Sequence, residues 1–133
     1  MLWNDTRSHV QAAAMDSDPR ARDISGNIVF PGFTAPKVAW VAQNEPDVFA
    51  RISRVMLPKD YVLWWLTGRF ATEMSDAAGT AWLDVGARAW SNELLQLGGM
   101  KAAQMPDLLE GTDVVGDVQP CLLYTSPSPR DRG

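Results

Sequence analysis

Apolar residues recur three and four positions apart in several short stretches of this chain, and prolines and glycines separate the stretches. Residues 7–15 carry alanines and Met15 at helical spacing, which predicts a helix. The run Asp16-Ser17-Asp18-Pro19 predicts a loop after it, because turn formers and a proline make continuation costly. Gly26, Pro31 and Gly32 surround Ile28-Val29-Phe30, so residues 26–33 are predicted as an irregular or briefly extended connector. Helix resumes with Thr34 as the cap, Pro36 in the first turn, and Phe33 and Val38 as a hydrophobic staple. Glu45-Pro46 opens a second short helix whose Val48, Phe49 and Ile52 share a core-facing side.

Further along, Val55-Met56-Leu57 is predicted as a short buried strand before Pro58. Tyr61, Val62, Trp65 and Leu66 then mark a helix that Gly68 terminates. Residues 80–85 set Ala81, Leu83 and Val85 against Trp82 and Asp84, the period of a half-buried strand. Ser91 can cap a helix running to Leu97 before Gly98-Gly99. Met105-Pro106 and Gly111 bracket a turn-rich stretch, and Val114-Val115 start a strand.

Composition narrows the class. In 133 residues, 46% are apolar, which fits a folded domain rather than a disordered chain, and the net charge of −4 disfavours a nucleic-acid partner. Apolar runs fall short of the roughly 20 residues that cross a bilayer, and no export leader is visible, so no membrane partner is expected. The single cysteine and single histidine offer neither a disulfide nor zinc-ligand spacing, and His9 is assigned no role. A reducing, cytoplasmic setting is the expectation. The six tryptophans demand a bulky core, and Trp64, Trp65, Trp82 and Trp90 are read as core or subdomain-interface residues rather than a ligand platform.

The end of the chain differs in kind. Cys121-Leu122-Leu123-Tyr124-Thr125-Ser126-Pro127-Ser128-Pro129-Arg130-Asp131 resembles one reading frame of the transposase adapter used in sequencing libraries, the alternative being a natural Ser/Pro tail. The expectation is native sequence over residues 1–120 and a non-native tail over 121–133.

Gly32, Thr34, Lys37, Val38, Trp40, Val41, Gln43 and Asn44 satisfy, at their spacing, the first signature of the FGGY-family carbohydrate kinases. Leu2-Trp3-Asn4-Asp5 with Arg7, Gly26-Asn27, Leu57-Pro58-Lys59-Asp60-Tyr61, Met74-Ser75-Asp76-Ala77-Ala78-Gly79-Thr80 and Trp82-Leu83-Asp84-Val85 follow in the family's order. Within the family, the bacterial-type xylulokinases are the nearest resemblance, over residues 2–118. The resemblance implies an α/β fold, part of the first actin-like (ribonuclease-H-like) domain, mostly helical with a few short strands. It implies a pentulose substrate, with ATP and magnesium as cofactors of the parent protein, bound between two domains. The catalytic aspartate, the phosphate-binding glycine hairpin and a sugar-contacting Met-His pair find no match here, so no catalytic, cofactor or metal residue is assigned. The fragment alone is expected to be inactive, and its oligomeric state is unassigned. Another pentulose, a hexonate, or a non-catalytic helical fragment are the alternatives.

Candidate sugar-binding residues are Trp3, Asn4, Asp5, Arg7, Gly32, Phe33, Thr34 and Asp76. Asn and Asp side chains hydrogen-bond hydroxyls, and an indole covers an apolar sugar face. Each has a structural alternative: a strand end and helix cap for Trp3 to Arg7, a capped and stapled helix start for Gly32 to Thr34, and turn chemistry for Asp76.

Overall fold

The computed structural model describes residues 1–125; residues 126–133, the rest of the predicted tail, lie outside the described residues. Two helices, α1 (His9–Asp16) and α2 (Pro19–Ser25), meet at a corner where the sequence predicted helix followed by loop. The proline that ends one helix begins the next: the Asp18 carboxylate accepts the Arg20 N–H at 3.0 Å, and Pro19 takes the first helical position, where no N–H is needed. Asp16 fastens the corner by accepting Arg22 at 2.5 Å and the Val29 N–H at 3.0 Å. Gly26 closes α2 at φ 68°, in the left-handed region that glycine enters at least cost.

The connector leads into α3 (Thr34–Asn44). Phe33, not Thr34, is the cap residue, and no side chain caps the helix. The Ala35 N–H donates instead to the Thr80 carbonyl at 2.9 Å, so a remote loop satisfies the donor a hydroxyl was expected to serve. Phe33 and Val38 pack against the core as expected. In α4 (Pro46–Phe49) and the turn after it, Phe49 and Ile52 face the core while Val48 faces solvent.

Residues 55–57 form no strand: the Val55 N–H donates to the Gln104 carbonyl, and Leu57 leads directly into α5 (Pro58–Thr67). Strand β1 (Ala71–Glu73) precedes α6 (Met74–Ala78) and pairs in parallel with β4 (Asp107–Leu109), Ala71 opposite Asp107. The sequence predicts a strand at Val114-Val115, but Val114 is 85% exposed and irregular. Strands β2 (Leu83–Asp84) and β3 (Ala89–Trp90) pair antiparallel. The alternation predicted over residues 80–85 fails at Ala81, whose φ of 67° breaks the pleat, so Ala81, Trp82 and Leu83 are all buried while Val85 is exposed.

Helix α7 (Asn92–Leu97) starts as predicted, with Ser91 Oγ accepting the Leu94 N–H at 3.2 Å. A 3-10 turn (Ala102–Gln104) precedes β4, and α8 (Pro120–Thr125) runs into the predicted tail. The core gathers Ala12, Ala21, Ala35, Leu94, Leu95 and Met100 around the fully buried Trp82. Trp65, read from sequence as a core or interface residue, is half exposed, whereas Trp90 is partly buried and donates its indole N–H to the Pro106 carbonyl at 2.8 Å. Among the described residues no helix is long and apolar enough to cross a membrane.

Candidate functional site

The chain reverses at Leu2, where the Asp5 N–H donates to the Leu2 carbonyl at 3.1 Å and leaves Trp3 and Asn4 at the tip of the turn. Trp3 is 82% exposed, an unusual position for an indole, and Asn4 is exposed beside it. Asp5 accepts the Arg7 N–H at 3.0 Å and pairs with its guanidinium at 2.9 Å, and these bonds hold the carboxyl below the usual carboxylate range. The Arg7 guanidinium in turn lies over the Trp40 ring, 5.2 Å from its centroid.

The signature loop meets this turn. A Cβ added at Gly32 would stand 3.3 Å from the Trp3 carbonyl, so the missing side chain admits a close backbone approach. Ser8 Oγ donates to the Pro31 carbonyl at 3.2 Å, and Lys37 Nζ donates to the Leu2 carbonyl at 2.5 Å. Burial draws the Lys37 pKa below its ordinary value, with the charge of Asp5 acting in the opposite direction. Seven of the eight sequence-predicted residues thus lie in two adjoining segments. Phe33 and Thr34 are partly buried, Phe33 packing inward against the core and edge-on to Phe30, which favours their structural reading.

Asp76 sits in a different cluster. It is exposed at the start of α6 and pairs with Lys59 Nζ at 3.3 Å; Lys59 also reaches the buried Asp60 at 2.6 Å. Glu73 caps α6 by accepting the Ser75 and Asp76 N–H groups at 2.8 and 2.7 Å. Burial pushes the Glu73 carboxyl up, but those bonds outweigh it and leave the group below its ordinary value. Lys59 is drawn down by burial yet ends above its ordinary value through Asp60 and Asp76. Lys59, Asp60, Thr72 and Glu73 line a cleft of about 240 Å³ floored by Leu63, Ala71 and Leu109. Sequence reading singled out only Asp76 of this cluster; the local sign of the rest was an acid in the first turn after Pro58.

His9 Nδ1 lies 3.2 Å from the Thr6 carbonyl, a local turn contact with no acid beside it. Among the described residues no group of three or more His, Cys, Asp or Glu side chains is arranged to hold a metal ion.

Residues 1–125 match the N-terminal domain of the FGGY family of carbohydrate kinases. The xylulose kinase of Escherichia coli K12 is 47% identical over 121 residues, covering 90% of this chain and 25% of that protein. The xylulose kinase of Bacillus subtilis is 42% identical over 122 residues, with 24% of its length covered. Among solved structures, a xyloylose kinase from Brucella ovis superposes with a TM-score of 0.91 at 58% identity, over 93% of this chain and 26% of that one. A glycerol kinase from Plasmodium falciparum, 18% identical, shares the fold with a TM-score of 0.81 over 90% of this chain and 25% of its own. The chain spans about a quarter of the length of the curated relatives it matches. With the signature loop and the Trp3-to-Arg7 turn in contact on an α/β scaffold shared with these enzymes, the chain belongs to the FGGY family of carbohydrate kinases.

Proposed function

We propose that this chain is part of the first domain of a cytoplasmic xylulose kinase, an enzyme that transfers the γ-phosphoryl group of ATP to D-xylulose. The observation that carries the reading is the turn at Trp3-Asn4, an exposed indole and amide held against the signature loop in a fold that superposes closely on a xyloylose kinase. In this proposal the Asn4 amide hydrogen-bonds sugar hydroxyls, and the indole of Trp3 covers the sugar's apolar face. Asp5, already bonded to Arg7, keeps lone pairs for one more hydroxyl, while Gly32 leaves room beside the turn. Bound MgATP would supply the phosphoryl group and offset its charge. The residues described contribute sugar orientation alone, and residues 121–133 are taken as a non-native tail.

A full-length kinase containing this chain is expected to form ADP in a xylulose-dependent manner. Asn4→Ala should raise the xylulose KM about tenfold with little change in the KM for ATP, as loss of a sugar hydrogen bond requires. Turnover of a hexonate or another pentulose in place of xylulose would reassign the substrate. The 133-residue chain alone is expected to give no xylulose-dependent ADP in a coupled assay, and a measurable rate there would overturn the assignment of sugar orientation alone.

A further inference from the structure

We propose that Lys37 is a positioning residue for the sugar, acting through the Leu2 carbonyl on the turn that presents Trp3 and Asn4. The inference rests on the functional reading above and adds a residue to which that reading gives no role. Leu2 O is a shared acceptor: it takes the Asp5 N–H at 3.1 Å, which closes the turn, and Lys37 Nζ at 2.5 Å, which ties the closed turn to α3. A carbonyl has two lone pairs, so both bonds can be made at once, and the charged donor makes the stronger of them.

The geometry leaves Lys37 little other purpose. Its stem is partly buried at the head of α3, and desolvation draws its pKa down. A surface lysine could have stayed in water at no such cost. The turn has few ties of its own: Met1, Leu2, Trp3 and Asn4 are all exposed, so no buried side chain in it sets its position. Its downstream end is held by Asp5 on Arg7 and by Arg7 over Trp40, and its upstream end by Lys37. Gly32 lies under the Trp3 carbonyl between these fastenings. With Lys37 removed, the Leu2 carbonyl loses its tie to α3, and a tip misplaced by about 1 Å is enough to lose well-directed hydrogen bonds.

The test uses the full-length kinase containing this chain, with Lys37→Met and Lys37→Arg. Lys37→Met is expected to raise the xylulose KM about tenfold while kcat and the KM for ATP stay within twofold. Amide hydrogen exchange in residues 1–8 should quicken, and exchange in α7 should not change. Lys37→Arg, whose guanidinium can reach the same carbonyl, should restore most of both. On a Trp3→Ala background, Lys37→Met should add little further loss, because the two act through one turn. Unchanged exchange in residues 1–8 would overturn the proposal, as would faster exchange with an unmoved xylulose KM. If Lys37→Met does not fold, Lys37→Gln takes its place, with the same rise in KM and the same faster exchange expected and either absence overturning the proposal. Should the wild-type kinase ignore xylulose, the functional reading fails, and exchange at residues 1–8 still decides whether Lys37 holds the turn.

Discussion

Trp82 is fully buried at the centre of the core, yet its indole N–H has no partner among the described residues. Replacing it with alanine removes a large packed volume and is expected to cost about 3–5 kcal/mol in urea denaturation. Trp82→Phe should cost less than half as much, because it keeps most of the ring while removing an unpaired donor. Equal losses for the two would mean that the N–H is satisfied after all. At the surface, Asp16 and Asp18 have carboxyls held below the ordinary aspartate value of 3.8, first by side-chain bonds from Arg22 and Arg20 respectively, and then by backbone N–H bonds. A native pKa below the unfolded one means that the unfolded chain takes up protons first. The stabilisation is therefore complete above 3.8 and lost as pH falls through the lower native values. The urea midpoint is expected to stay level down to about pH 5 and to drop below it, with Asp16→Asn flattening that acid limb. At this scale the turn from Trp3 to Arg7 was legible as a local arrangement, since its residues are adjacent in sequence and bond to one another. The tie from Lys37 was not, because it joins α3 to the Leu2 carbonyl 35 positions earlier in the chain.

Elements were legible where a single residue carries the boundary. Ser91 caps α7, and Gly68 closes α5 at φ 76°, both as their types predict. Ser91→Ala is expected to cost about 1 kcal/mol and Gly26→Ala, at φ 68°, about 1–2 kcal/mol, each measured as a loss in urea denaturation. Of the strands only β2 fell within a predicted one, for a geometric reason. β1 and β4 are three residues each and β2 and β3 two, too short for an alternation to repeat. The alternation read over residues 80–85 is broken by the bend at Ala81, which leaves Ala81, Trp82 and Leu83 all buried. The helix pair at Asp16 to Pro19 was missed because Asp-Pro reads equally as a stop and a start. Only the bond from Arg20 N–H to Asp18 distinguishes them.

At the scale of the whole molecule, the collinear motifs carried the family, and the superposition at a TM-score of 0.91 agrees with them. The packing is uneven across the chain. α1, α2, α3 and α7 enclose Trp82, whereas α5 leaves Tyr61, Val62 and Trp65 more than half exposed. Near α5 lies the parallel pair of β1 with β4, which among the described residues have no other strand beside them. Parallel strands ordinarily sit inside a wider sheet covered on both faces. Ala71 and Thr72 of β1 are buried, whereas Asp107 of β4 is exposed, so the edge open to an extended segment is that of β4. A longer chain can dock a strand of its own on that edge. When the chain stands alone, the same edge is open to a second copy of itself, a route to edge-to-edge association that net charge alone does not block.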